Sequence, residues 1–308
     1  MRVLVLGAGA VGGYFGGRLA EKGADVTFLV REKRRQQLAA RGLRIHSVHG
    51  DAHIQPKLIV SSEPAGPFDL VILTMKAYHL DEGIESIRPY VGEQTTVLPL
   101  LNGFAHMERL QEQFGSHRVL GGMCFIESTL DENGDVRQTS KTHEVKYGEW
   151  DGSRTSRIEA LQELFAGAKA TYTPSDHIIE EMWNKYLFIV TLSGMTTLMN
   201  APVGPIRDAE YGLELSRQLF TEAAEVMKAA GAPMAADIVD RQMKVFEAQG
   251  YKMKSSMLRD MEKGLPVEAD HLQGYLLRLA EAKQVNVPLL RVVYHNLKVY
   301  ELKRMQQI

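Results

Sequence analysis

A chain of 308 residues, 44% hydrophobic and 24% charged, is long enough for two domains and too rich in apolar side chains for wholesale disorder. Lysine and arginine number 36 against 38 aspartates and glutamates, a formal charge of −2 that gives no reason to expect nucleic acid or an anionic membrane as partner. Cys124, the single cysteine, excludes an internal disulfide and fits a reducing compartment.

The chain opens "MRVLVLGAGAVGG", which breaks into glycine too early for a secretory segment. No apolar run approaches the ~20 residues of a membrane span, so a soluble, cytoplasmic protein is expected. Strand candidates follow as "RVLVL" (2–6), "DVTFLV" (25–30), "FDLVILT" (68–74), "TTVLPLL" (95–101) and "RVLGGMCFI" (118–126). Amphipathic stretches at 11–22 and 79–88 separate several of them, and such alternation predicts an α/β domain, a doubly wound parallel sheet with helices on both faces. Residues 127–150 read as turns joining extra strands at an edge, and "ATYTP" closes this half near residue 174. From Ser175 the periodicity is helical, over 177–199, 207–230, 233–249, 267–283 and 288–306. Gly and Pro punctuate it at "NAPVGP", "AGAP", Gly250 and "KGLP". The expected division is therefore 1–174, α/β, and 175–308, all-helical.

Gly7, Gly9 and Gly12 stand in G-x-G-x-x-G spacing, with Ala8, Ala10 and Val11 completing the loop between the first strand and the first helix. Such a corner turns tightly at its first glycine and lets the backbone approach a pyrophosphate at the second. It packs helix on strand at the third, and the helix start holds the anion. This strand–glycine–helix–strand context makes the first half a Rossmann-type dinucleotide-binding domain. Where NAD enzymes carry an acidic residue after the second strand, this chain has Arg31, followed by Lys33, Arg34 and Arg35. A guanidinium suits a 2′-phosphate, so the cofactor expected is NADP(H); a solvated basic helix start beside Glu32 is the plainer alternative. Lys76 and Asn102 end later strands, where ligands bind in an open doubly wound sheet.

Lys185 lies in "EMWNKYLFIV", flanked by apolar and aromatic residues. Hydride delivery to a carbonyl creates an alkoxide that needs a proton, and a partly desolvated lysine can donate one near neutral pH. A lysine whose ammonium merely snorkels to water fits the same residues.

"GAGAVGG", Arg31, "MKAYH", "LLNGF", "WNKY", "SSMLRDMEKG" and "VEADHLQGYLL" together resemble the ketopantoate reductase (2-dehydropantoate 2-reductase) family, in its order and over essentially the whole chain. The resemblance implies a Rossmann domain joined to a helical domain with the site between them. It also implies NADPH-dependent reduction of ketopantoate to pantoate, a step towards pantothenate and coenzyme A. By position, Lys185 resembles the general acid. Glu268 resembles the acid that binds the substrate hydroxyl beside the cofactor, and Ser256 the hydroxyl near the substrate carboxylate. Asn102 resembles the amide between nicotinamide and substrate, and Lys76 the lysine of the cleft. Read without the resemblance, Glu268 after Pro266 is a favoured carboxylate at a helix start, and Ser256 a helix cap for "MLRDMEKG".

The chain also departs from the family. Ile189, Ser193 and Val203 stand where asparagines are common, which leaves room for a different 2-oxo acid as substrate. A non-catalytic NADP(H)-binding sensor is the rival of another class, and a flavin enzyme a further one. No histidine or cysteine spacing indicates a metal, and neither a P-loop nor G-x-S-x-G occurs. The helical half has apolar faces enough for a homodimer, although core packing accounts for them equally well.

Overall fold

The structure, a computed structural model, describes residues 1–61 and 63–306, so the last two residues of the predicted helical half lie outside it. The chain forms two compact units, Met1–Leu101 with His106–Ile178, and Asn102–Ala105 with Ile179–Ile308. The main division thus falls between Ile178 and Ile179 rather than after residue 174. The helical unit also takes a short piece from the middle of the α/β half.

The strands of the first unit are β1 (Arg2–Leu6), β2 (Asp25–Leu29), β3 (Leu43–Ser47), β4 (Ala52–Ile54), β5 (Lys57–Ile59), β6 (Phe68–Leu73), β7 (Val91–Pro99), β8 (Gly121–Leu130), β9 (Val136–Gly148) and β10 (Thr171–Pro174). Its helices are α1 (Ala10–Glu21), α2 (Glu32–Arg41), α3 (Leu80–Ile87), α4 (Ala105–Phe114) and α5 (Ser156–Phe165). Five strands pair in parallel in the order β5-β2-β1-β6-β7. The order reverses beside β1, and the register aligns Leu6 with Leu29 and Leu73, and Leu73 with Pro99. One carboxyl edge therefore releases the chain at Gly7, Val30, Thr74 and Leu100. Ligands bind beyond that edge in this class of sheet.

The predicted edge strands of 127–150 do not extend this sheet. β8 turns back on β9 as an antiparallel hairpin, and β9 joins a second sheet ordered β10-β9-β3-β4. The cause is what β9 buries. Val136 and Val145 are fully buried in one core with Tyr14, Phe15 and Leu19 of α1 and Val3, Val5 and Phe28 of the parallel sheet. α1 is lined by glycine so that it can pack closely on both sides. A Cβ at Gly16 would lie 2.9 Å from Val5 and 2.8 Å from Phe28, and one at Gly17 2.7 Å from Ile45.

From Ile179 the second unit comprises most of α6 (Ile178–Leu198), then α7 (Val203–Asp208), α8 (Gly212–Ala229), α9 (Ile238–Glu247), α10 (Ser256–Glu262), α11 (Gln273–Ala282) and α12 (Pro288–Gln306). α7 occupies part of the predicted break "NAPVGP", with Pro202 at its N-cap. α6 is apolar on most of its surface and correspondingly central: Met182, Tyr186, Leu187, Val190 and Met195 are all buried. Gly194 lets it approach Leu219 of α8 and Val293 of α12. The buried Glu222 carboxylate accepts the Leu289 and Leu290 N–H groups at the start of α12, where a negative charge is favoured. Among the described residues no helix is long and apolar enough to cross a membrane.

Candidate active site

In the first unit, the glycine corner has the geometry that its sequence predicts. Gly7 adopts φ +92°, a left-handed conformation open to glycine at little cost. Its N–H donates to Leu29 O at 2.9 Å. A Cβ at Gly12 would stand 2.1 Å from Gly7 O and 2.3 Å from Thr74 Oγ1, so only glycine fits. The Thr74 hydroxyl donates to Leu6 O at 2.9 Å and braces the corner. Gly9, the N-cap of α1, has nothing within 4 Å of where a side chain would begin. No side chain caps α1 and no acidic residue stands in its first turn. The first N–H groups of α1 thus have no side-chain cap, and an uncapped helix start of this kind can receive a phosphate. Ala8 is buried and its carbonyl accepts from Arg34 Nε and Nη2 at 3.0 and 2.8 Å.

The basic stretch after β2 divides its labour. Arg34 holds that loop carbonyl and Gln37, and Arg35 pairs with Glu63 at 2.6 Å. Arg31 remains exposed at the N-cap of α2, its Nη2 donating to Glu82 Oε2 at 2.6 Å. Half-buried Lys76 follows β6 as the N-cap of a 3-10 turn over Ala77–His79.

In the second unit, Lys185 answers to Asn102. Its ammonium donates to Asn102 Oδ1 at 3.0 Å, and both residues are half-buried. Further contacts seat the segment 102–105 on this unit. Phe104 stacks on Trp183 with ring centres 4.0 Å apart, His271 Nε2 lies 2.9 Å from Asn102 O, and Gly103 (φ +84°) faces Leu272 and His271. A carbonyl oxygen only accepts, so Nε2 carries the proton and the other nitrogen of neutral His271 is Nδ1. Burial pushes His271 below the ordinary imidazole value, with the Glu268 carboxylate and the bond to Asn102 pulling the other way. His271 was not among the residues expected. Nothing in "EADHLQ" signals it, because its role depends on a carbonyl distant in sequence.

Two sequence expectations are corrected here. Glu268 is buried, 7% exposed, but does not begin a helix. α11 starts only at Gln273, and Glu268 O accepts the Leu272 N–H in the turn that leads into it. The carboxylate is therefore not explained as a helix-start residue. Ser256 is not a cap. Ser255 holds that position, its Oγ accepting from Leu258 N at 3.0 Å and bonding Thr196 Oγ1 at 2.7 Å, while Ser256 is the exposed first residue of α10.

Among the described residues no group of three or more His, Cys, Asp or Glu could hold a metal ion. A glycine-cornered, doubly wound parallel sheet is an architecture that binds dinucleotides. Residues 3–152 match the family described as ketopantoate reductase PanE/ApbA, and 177–301 match its C-terminal counterpart. The chain belongs to the ketopantoate reductase family and is an oxidoreductase of that family. An uncharacterized oxidoreductase, YkpB, of Bacillus subtilis (strain 168) is 46% identical over 304 residues, covering 99% of this chain and 100% of its own. A 2-dehydropantoate 2-reductase of Pyrococcus horikoshii is 28% identical, covering 94% of each chain. The crystal structure of a 2-dehydropantoate 2-reductase from Geobacter metallireducens GS-15 superposes with TM-score 0.87 at 30% identity, over 97% of this chain and 99% of that one.

Proposed function

We propose that the protein reduces ketopantoate to pantoate with NADPH. The glycine corner fits a dinucleotide. Gly7 to Gly12 would hold the pyrophosphate through the uncapped start of α1, Arg31 the 2′-phosphate, and Lys76 a ribose or substrate oxygen. Bound NADPH would supply the hydride for the substrate's 2-oxo carbon.

The observation that carries the reading is the 3.0 Å bond from Lys185 Nζ to Asn102 Oδ1. An amide that accepts on its oxygen must turn its NH₂ elsewhere, so Asn102 can orient the ammonium and still donate to a substrate oxygen. Lys185, so held, supplies the proton that the developing alkoxide takes up, and its charge stabilises that oxygen beforehand. Buried Glu268 accepts a substrate hydroxyl. Ser256, exposed at the head of α10, donates to the substrate carboxylate.

A second reading has its own support. Ile189, one turn beyond Lys185, is apolar. The Ser193 hydroxyl is spent on Ile189 O at 2.6 Å and on Gln273 Nε2 at 2.8 Å, and Val203 is fully buried. A 2-oxo acid with a less polar side chain would meet Ile189 without leaving a hydroxyl unpaired.

The test mixes purified protein, NADPH and a panel of 2-oxo acids and follows the nicotinamide absorbance. Turnover on ketopantoate supports the first reading. Silence there, with turnover on apolar 2-oxo acids, moves the assignment to the second. Lys185→Met is expected to lower kcat by about 10²–10⁴ while NADPH still binds. Full turnover in that variant would remove Lys185 from the reaction.

A further inference from the structure

We propose that Glu82 sets the balance between NADPH and NADH, by competing with the 2′-phosphate for Arg31. The inference rests on reading the glycine corner as a dinucleotide site and concerns only the ribose end of that site. Arg31 leaves the carboxyl edge of the sheet just after β2, and its Nη2 donates to Glu82 Oε2, in the first turn of α3, at 2.6 Å. His79 Nδ1 lies 3.3 Å from that guanidinium nitrogen and 3.3 Å from the same carboxylate oxygen. The two charged side chains are 64% and 62% exposed, so water competes for the pair and an incoming anion can displace it.

The neighbouring arginines are engaged elsewhere, Arg34 on Ala8 O and Arg35 on Glu63. Arg31 is thus the guanidinium placed to receive a phosphate, and it already has a carboxylate as partner. A 2′-phosphate must take over the Arg31 bond while Glu82 stands by as a like charge. An unphosphorylated ribose can instead donate its hydroxyls to Glu82, the use that NAD-binding sheets make of an acidic residue at this end. Arg31 and Glu82 therefore favour opposite cofactors. His79 can accept from the guanidinium or, when protonated, donate to the phosphate.

The experiment titrates the full-length protein with NADPH and with NADH at low salt, following nicotinamide fluorescence, for the wild type, Glu82→Gln, Glu82→Ala and Arg31→Gln. Both Glu82 variants should bind NADPH about fivefold tighter, bind NADH equally or more weakly, and lose that gain at high salt. Arg31→Gln should lose NADPH affinity and keep NADH. Both positions are exposed, and circular dichroism checks that the fold is retained. If both nucleotides bind and neither Glu82 variant raises the preference for NADPH, the proposal fails while the dinucleotide reading stands. If the wild type binds neither nucleotide, both fail together.

Discussion

Asn102 is held at two points. Its side-chain oxygen accepts from Lys185, and its backbone carbonyl accepts from His271. The two residues of the first partnership stand out in the sequence, as a lysine among aromatics and an asparagine at a strand end, but nothing there pairs one with the other. His271 does not stand out, since a histidine in a polar stretch carries no sign of which carbonyl it will meet. His271→Ala should release the Asn102 backbone and lower kcat by about tenfold, since small misplacements in a reacting site are costly. The NADPH dissociation constant should stay as it is, and kinetics beside a binding titration check both. His271 also gives a pH prediction. Its folded value is depressed by burial, so the neutral form is the one the fold favours. That contribution is complete above the unfolded value of about 6.5 and is lost as the pH falls towards the lower folded one. Thermal melts from pH 7.5 to 5 should show wild type losing stability more steeply than His271→Gln; equal slopes would mean the imidazole is not kept neutral.

Elements were read well where their physics is local. β1 and β6 are apolar apart from Arg2 and Asp69 near their starts, and their observed bounds, Arg2–Leu6 and Phe68–Leu73, sit within a residue of the predicted ones. β3, β4 and β5 were not predicted. They are only three to five residues long, and alternating polar residues such as Arg44, His46 and His53 blur the pattern. The start of α10 shows a different limit. Two serines in succession offer two caps, and composition cannot choose between them. Packing chooses Ser255, whose hydroxyl meets Thr196 inside the helical unit. Ser255→Ala should cost about 1 kcal/mol of stability, and Ser256→Ala a few tenths at most. Ser256→Ala should instead raise KM for the 2-oxo acid. Denaturant melts and steady-state kinetics on the two variants separate a cap from a substrate contact, and the opposite pattern would exchange the two assignments.

At the scale of the whole chain, the switch from alternating strands to helices near residue 175 was visible as a change of period. The placement of 102–105 was not, because four residues between a strand and a helix have no period of their own. Yet this segment, leaving the first unit after Leu101 and returning at His106, brings Phe104 onto Trp183. Both rings are buried, at 6% and 7% exposure, so the stack belongs to the core of the helical unit although it is encoded within the α/β half. The helical unit is therefore incomplete without chain from the other, and a contiguous fragment beginning at Ile179 would expose Trp183. In the intact chain, Phe104→Ala should cost about 3–5 kcal/mol, the usual range for emptying a buried phenylalanine site. The loss should be local to the unit that houses the ring. Hydrogen exchange followed by mass spectrometry should quicken in α6 and in the 268–272 turn, with β1 and β2 of the parallel sheet unchanged. Faster exchange in β7 and α4 alone, with α6 untouched, would return residues 102–105 to the unit that flanks them in sequence. The role given to Asn102 would then have to be argued from that unit instead.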